Sequence, residues 1–226
     1  MQDWSIKASA FDSMRSVAHF RSARMALIAF EGLGRSGKTT QATLLVERLQ
    51  YMNIPVVQYR FPKRAETTSG EKIRQFLNRE ITLDPLEAYE LFLEQRAEAQ
   101  EEIKNHIKNG AVVIIDRYCA SGVAYGTAYG LDINCCTAME SKILKPDLTL
   151  FFSIPVRVAI SRAGFGLEKF ETVKYQREVL LVYNQIRDST WVPVDATKRK
   201  QNITDEVRWH VLNFLSKNIA RLLPSH

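Results

Sequence analysis

The run Gly32-Leu33-Gly34-Arg35-Ser36-Gly37-Lys38-Thr39 carries the glycine spacing and the terminal Lys-Thr pair of a loop that cradles phosphate. Gly32 and Gly37 let the backbone turn its N–H groups inward around phosphate oxygens. A helix starting after Gly37 would add positive partial charge at its N-terminus, with Gly34, Ser36 and Thr40 lining the same turn. Lys38 then reaches the β- and γ-phosphates, and the Thr39 hydroxyl is a ligand for Mg²⁺. A glycine-rich turn that matches by chance is the bland alternative, and the flanks argue against it. An apolar run, Ala26-Leu27-Ile28-Ala29-Phe30, precedes the loop; Thr40 to Met52 follows, with Leu44, Leu45, Leu49 and Met52 on one side. Strand, loop, helix is the setting this chemistry needs. The residues therefore point to a nucleoside triphosphate held with Mg²⁺. What receives the phosphoryl group must be written elsewhere in the chain.

The elements that would position this loop follow from periodicity. Pro55 to Phe61 reads as a second strand and Ser69 to Asn78 as a short helix. Asp84 to Lys108 has long helical periodicity, with Asp84 as N-cap and Pro85 at the first helical position. Ala111 to Ile115 is a continuous apolar run, as expected of a strand buried on both faces of a parallel sheet. Leu148 to Phe152 is another. A helix begins at Pro155, a second spans Glu171 to Asp188, and a short strand covers Trp191 to Val194. Ile203, Val207, Val211, Leu215, Ile219 and Leu222 mark a final amphipathic helix. Tyr129 and Gly130 read as ordinary loop. Alternating strands and helices predict an α/β fold with a parallel sheet of five strands, helices on both faces, and ligands at the carboxyl ends of the strands. No internal repeat or linker divides residues 25–223, so they are expected to form one domain preceded by an extension, residues 1–24.

Composition bounds the partners. Hydrophobic residues are 46% and charged residues 25% of 226, ordinary for a soluble domain able to bury a full core. No apolar run approaches the ~20 residues of a membrane span. The net charge of +6 favours anionic partners, or is a basic solvated surface and nothing more. Without zinc-finger spacing or an aromatic-basic RNA motif, no nucleic-acid partner is required. Cys119, Cys135 and Cys136 lack paired spacing, which argues against a disulfide framework and suits a reducing, cytoplasmic compartment. The four histidines show no metal-ligand spacing. Residues 1–24 carry Lys7, Arg15, Arg21 and Arg24 among serines, as a transit peptide would, but Asp3 and Asp12 count against targeting; a disordered or surface-docked tail is the alternative.

Further motifs narrow the acceptor. Arg60-Phe61-Pro62-Lys63-Arg64 follows the second strand, and Asp116-Arg117-Tyr118 follows the third, continuing through Ser121-Gly122-Val123-Ala124-Tyr125. Phe92 and Arg96 lie four apart, on one helix face. Arg162 to Glu171, with Gly164 and Gly166, reads as a flexible loop before a helix. Singly, Phe92 reads as core, and Arg64 and Arg117 as surface ion-pair partners. Their ordered conjunction with the phosphate loop reverses those readings. Over about residues 25 to 215 the chain resembles the thymidylate kinase family.

That resemblance implies a P-loop nucleoside monophosphate kinase fold with a lid, transfer of phosphate from ATP to dTMP, a Mg²⁺ cofactor, and a homodimer. It implies Arg35 as a catalytic arginine within the phosphate loop, as in the eukaryotic and poxviral branch, acting with Lys38, Arg117 and Asp116. Arg64 and Arg117 are suited to clamp the acceptor phosphate. Phe92 offers a ring face to the base. Arg96, all donor and no acceptor, suits the O4 of thymine and opposes the amino group of cytosine. Phe61 packs beside the sugar, while Ser121, Gly122 and Tyr125 line the pocket near base and sugar, and Gln176 matches a position near the base. Thr39 and Asp116 hold Mg²⁺, the latter through water. Arg162 covers the adenine, Lys169 adds lid charge, and Thr197 and Lys198 match a loop near the adenine. The chain departs from the family at Gly34, where an acid usually binds the 3′-hydroxyl of the sugar, and at Phe170, which replaces a tyrosine. The rival readings are a kinase for another acceptor (dUMP, a modified nucleotide or a deoxynucleoside), a GTPase-like switch, which lacks an Asn-Lys-x-Asp segment here, and a non-catalytic nucleotide-binding regulator.

Overall fold

In the computed structural model, which describes residues 25–64 and 67–222, the apolar runs become strands β1 (Leu27–Gly32), β2 (Val56–Arg60), β3 (Val112–Asp116), β4 (Leu148–Ser153) and β5 (Trp191–Asp195). They form one five-stranded sheet in the order β2-β3-β1-β4-β5, and every pairing is parallel. The expected extension, residues 1–24, lies outside the described residues, as do the side chains of Ile219 and Leu222.

The helices are α1 (Lys38–Tyr51), α2 (Thr68–Leu77), α3 (Pro85–Glu98), α4 (Gln100–Lys108), α5 (Cys119–Ala128), α6 (Ile133–Glu140), α7 (Val156–Ile160), α8 (Val173–Ile186) and α9 (Lys200–Leu222). Alternate residues of β1 and β3 enter different apolar clusters, as a pleated strand with two covered faces requires. Ile28, Phe30, Val112 and Ile114 pack with Leu45 and Leu49 of α1 and Val207 and Val211 of α9. Leu27, Ala29, Val113 and Ile115 pack with Ile103 and Ile107 of α4. A third cluster joins Ile73, Phe76 and Leu77 of α2 to Ala88 of α3 and to Phe170.

Parallel register puts the chemistry on one edge. Phe30 and Arg60 are both level with Asp116, and Gly32 pairs with Phe152. The loops leaving β1, β2 and β3 therefore emerge side by side, which is why motifs far apart in sequence converge. Gly32 is required at this edge. Its φ is +135°, and a Cβ there would lie 2.6 Å from the Phe152 carbonyl oxygen.

Two features differ from the sequence expectation. The helix expected over Asp84–Lys108 is broken at Ala99 into α3 and α4. Its periodicity runs on unbroken, but the Gln100 amide donates to the Arg96 carbonyl at 2.7 Å, so a side chain enters the backbone ladder there. The start is as expected: Asp84 accepts from the N–H groups of Leu86 and Glu87, with Pro85 following. The second difference is α5 and α6, which periodicity did not reveal. The α5 sequence, Cys-Ala-Ser-Gly-Val-Ala-Tyr-Gly-Thr-Ala, is rich in small residues and glycine, so its helix is held by packing rather than propensity. Asp132, N-cap of α6, accepts from Cys135 N at 2.9 Å.

Candidate active site

The phosphate loop closes around its own lysine. Lys38 is 4% exposed and donates from Nζ to Gly32 O at 3.0 Å, Leu33 O at 2.6 Å and Ser36 Oγ at 3.0 Å. Burial, and then the charge of Arg117, push its pKa well below the ordinary value, opposed by Asp116 and Glu31. An anion arriving at the loop would relieve that cost. Gly37, at φ +94°, is the N-cap of α1 and carries no side chain to fill the anion seat.

At the end of β3, the Thr39 hydroxyl donates to Asp116 Oδ2. Asp116 Oδ1 is buried without a hydrogen-bond partner among the described residues. A buried carboxylate oxygen left unpaired beside a hydroxyl is a donor set for a hard cation such as Mg²⁺, which takes its remaining ligands from water and phosphate. Among the described residues no cluster of three or more His, Cys, Asp or Glu is placed to hold a metal.

Arg117 follows at φ +67°, an uncommon conformation for a bulky side chain. It donates to Gly32 O at 3.2 Å, and its guanidinium carbon lies 5.1 Å from the Tyr125 ring centroid. What fixes this turn is Glu31, which sequence reading did not single out. Glu31 is 1% exposed; its Oε1 accepts from Tyr118 N at 3.0 Å and Ser121 N at 3.1 Å. Its Oε2 accepts from Ser121 Oγ at 2.5 Å and the Tyr183 hydroxyl at 3.1 Å. Burial and the Glu31 charge push Tyr183 well above its usual pKa, so the phenol stays a donor. One carboxylate thus holds the phosphate-loop strand, the start of α5 and the lid helix α8 together. Ser121 lines the cleft, but its hydroxyl is committed to Glu31 and Tyr183. An acid directly before a glycine-rich loop was the one available signal.

Every residue assigned to the acceptor side lines a single cleft beside the phosphate loop. It holds about 820 Å³ of empty space, part of it open to solvent. Phe61 and Arg64 enter from the loop after β2, Phe92 and Arg96 from α3, and Arg117 from the β3 edge. Ser121, Gly122 and Tyr125 come from α5, Phe170 and Gln176 from the lid and α8, and Gly34 from the phosphate loop. Gln95 secures the Arg64 loop to α3: it accepts from Lys63 N at 2.9 Å and donates to Lys63 O at 3.0 Å. Phe170 stacks on Tyr175 at 4.6 Å and 11°. Tyr129, expected to be ordinary loop, also lines the cleft, with its ring 5.4 Å from Phe170 and its hydroxyl on Leu83 O. Gln176 accepts from Gly34 N at 3.3 Å and donates to Phe170 O at 2.9 Å, so it bridges the phosphate loop and the lid.

Residues between α7 and α8 form the irregular lid, and its acids meet the arginines. Glu171 pairs with Arg35 at 2.8 Å, and Arg35 also donates to Ala163 O and Gly164 O. Glu168 receives both Arg64 nitrogens, at 2.5 and 3.0 Å. Lys169 lies over the Phe76 and Tyr129 rings at 4.7 and 5.6 Å. Arg162 ties Arg35 O at 2.6 Å to Ala196 O at 2.7 Å, beside the turn that carries Thr197 and Lys198. Those two do not line the acceptor cleft: Thr197 donates its N–H and hydroxyl to Asp195 Oδ1, and Lys198 pairs with Glu206. Thr40 is exposed at the start of α1. All three cysteines are free, and burial pushes the Cys119 thiol up to about 12, which makes it inert.

A parallel sheet in this order, a phosphate loop at its centre and a lid over the adjoining cleft define a P-loop nucleoside monophosphate kinase fold. The family model for thymidylate kinase matches residues 30–207. The thymidylate kinase of Arabidopsis thaliana is 37% identical over 190 residues, 84% of this chain and 72% of that one. That of Caenorhabditis elegans is 39% identical over 180 residues, 75% of this chain and 82% of the relative. The solved thymidylate kinase from Candida albicans superposes with a TM-score of 0.76 at 32% identity, covering 88% of this chain and 95% of that one. The chain belongs to the thymidylate kinase family, as its motifs imply.

Replacing Glu31 by Ala strands the Tyr118 and Ser121 amides and leaves the Ser121 and Tyr183 hydroxyls only each other. Each buried unpaired group costs about 1–3 kcal/mol, so urea unfolding should show a loss of about 3 kcal/mol or more. A loss below about 1 kcal/mol would show that water replaces the carboxylate and that Glu31 is not the tie described.

Proposed function

We propose that the protein transfers the γ-phosphoryl group of ATP to dTMP, giving ADP and dTDP, as a cytoplasmic homodimer that requires Mg²⁺. The observation that carries this reading is the single cleft lined by Arg64, Arg117, Phe92 and Arg96 together with Gly34 of the phosphate loop. Candidate phosphate-binding and base-reading groups in one cleft suit a nucleoside monophosphate. The resemblance supports the homodimer and the free cysteines support the compartment; among the described residues no helix is long and apolar enough to cross a membrane. Residues 25–223 act as one catalytic domain, with ATP and dTMP as its partners and no nucleic acid.

Phosphoryl transfer needs in-line positioning and charge neutralisation more than a strong base. Lys38 and the loop N–H groups hold the β- and γ-phosphates. Arg64 and Arg117 exchange their present partners for the acceptor phosphate, and Arg35 leaves Glu171 for charge developing on the transferred group. Bound at Thr39 and Asp116, Mg²⁺ would neutralise phosphate charge. Phe92 stacks on the base and Arg96 donates to its O4, while Arg162 organises the adenine side together with the Thr197–Lys198 turn.

A second reading, a broader acceptor range, is favoured by Gly34. A Cβ there would make ordinary van der Waals contact with Arg117 Nη2 and Gln176 Oε1, both at 3.8 Å, so a side chain fits here without clash and Gly34 leaves the sugar without the family's acid. The Candida albicans neighbour is described as having broad substrate specificity.

Incubating purified protein with ATP, Mg²⁺ and a panel of acceptors should yield dTDP, with dTMP the best substrate. Absence of dTDP from folded protein, or faster phosphorylation of thymidine than of dTMP, would contradict the proposal. Arg35→Ala should lower kcat by on the order of 10³-fold with little change in KM. A change confined to KM would assign Arg35 to ground-state binding instead.

A further inference from the structure

Arg96 does not stand alone in the cleft wall. It is 3% exposed and meets Glu140, the last residue of α6, which is 4% exposed. Nε and Nη2 both donate to that carboxylate, Nε at 3.3 Å to Oε2 and Nη2 to Oε1. Nη1 has no acceptor among the described residues. A carboxylate gripping the Nε–Nη2 edge leaves the Nη1 end of the guanidinium for the cleft that Arg96 lines. Glu140 is itself located by a third helix-borne group, since the Tyr89 hydroxyl donates to its Oε1 at 3.2 Å and to Cys136 O at 3.0 Å. Burial raises the Glu140 pKa and Arg96 opposes it.

The neighbouring glycines belong to the same arrangement. A Cβ on Gly122 would fall on Glu140 Oε1 and within 2.5 Å of Arg96 Nη2. A Cβ on Gly126, one turn on, would lie 2.7 Å from Tyr89 Cε2 and 3.1 Å from Cys136 Sγ. So α5 presents a strip without side chains, into which α3 and α6 send a buried ion pair and its hydroxyl. Gly122 leaves room for the pair, beyond merely widening the cleft. A buried ion pair is weak evidence for stability, because desolvation offsets its attraction, and its best-attested use is to fix one arrangement.

We propose that Glu140 is a specificity-determining positioning residue: it orients the Arg96 guanidinium so that the remaining donors face a pyrimidine carbonyl, and thereby selects a 4-oxo base over a 4-amino base. This rests on the proposed dTMP kinase reading and extends it to a residue that does not line the cleft. Because Glu140 acts through Arg96, its effect must vanish when Arg96 is absent.

The test measures kcat/KM for dTMP and dCMP in the wild type, Glu140→Gln, Arg96→Ala and the double variant, with circular dichroism as the check on folding. Glu140→Gln should lower the dTMP-to-dCMP ratio about tenfold or more, and should leave the ratio unchanged when added to Arg96→Ala. A purely structural Glu140 would depress both substrates equally, and that result overturns the proposal. So does an additive loss in the double variant. If the wild type makes dTDP but Arg96→Ala keeps the full ratio, other groups read the base and this inference fails while the kinase reading stands. If the wild type makes no dTDP, the kinase reading itself fails. Should Glu140→Gln not fold, Glu140→Asp carries the test. It keeps the charge but is one methylene too short for the same two-point grip, so a folded variant with reduced ratio supports the proposal and an unchanged ratio overturns it.

Discussion

Positive charge concentrated at the carboxyl edge of one sheet is the constraint on which the rest of this structure depends. Lys38, Arg35, Arg64 and Arg117 stand around adjoining seats, and a folded chain without its substrates must satisfy them by other means. Lys38 is wrapped in carbonyls, Arg117 lies on an aromatic face and a carbonyl, Arg35 is held by Glu171, and Arg64 by Glu168. The lid acids occupy the arginines that phosphates would take. Because Arg64 and Glu168 are 41% and 24% exposed, their pair is weak and readily exchanged.

Holding the cations this close requires rigid anchors beneath them. The parallel register levels Phe30 and Arg60 with Asp116, and Glu31 gathers the start of α5 and α8 onto β1. Both acids lie inside the cationic field rather than opposite it. They lower the cost of assembling the cluster without filling the cleft, which stays open for a ligand. In the wall of the same cleft, the Arg96–Glu140 pair serves a different end. There the charge is neutralised internally, and what remains for a ligand is a directed set of donors.

Much of this was legible in the chain because local signals agreed with the global fold. β1, β3 and β4 are covered on both faces and read as unbroken apolar runs, and the phosphate loop announces its own strand and helix. The residues that order and spacing assign to the acceptor line one cleft. What escaped notice is tertiary. Sequence reading assigns Gly122 to the pocket wall, but the room it leaves for Glu140 and Arg96, and the room Gly126 leaves for Tyr89, show only once the helices pack. Glu31 and Glu140 are acids whose partners lie 44 or more positions away, beyond any periodicity. Tyr129 reads as loop because its value lies in ring contacts to Phe76 and Phe170. The break at Ala99 depends on a side chain entering the backbone ladder, and hydrophobic period does not report it.

The central claim is that this edge is a phosphate seat whose arginines await a nucleoside monophosphate. Equilibrium titration of the protein with dTMP and with thymidine, over a range of salt concentrations, tests it most directly. If Arg64 and Arg117 receive the acceptor phosphate, dTMP should bind at least about 100-fold more tightly than thymidine, since two charge-assisted contacts contribute roughly 1.5–3 kcal/mol each. The advantage should shrink as salt rises. Equal affinity for the two ligands, or a difference indifferent to salt, would contradict the account.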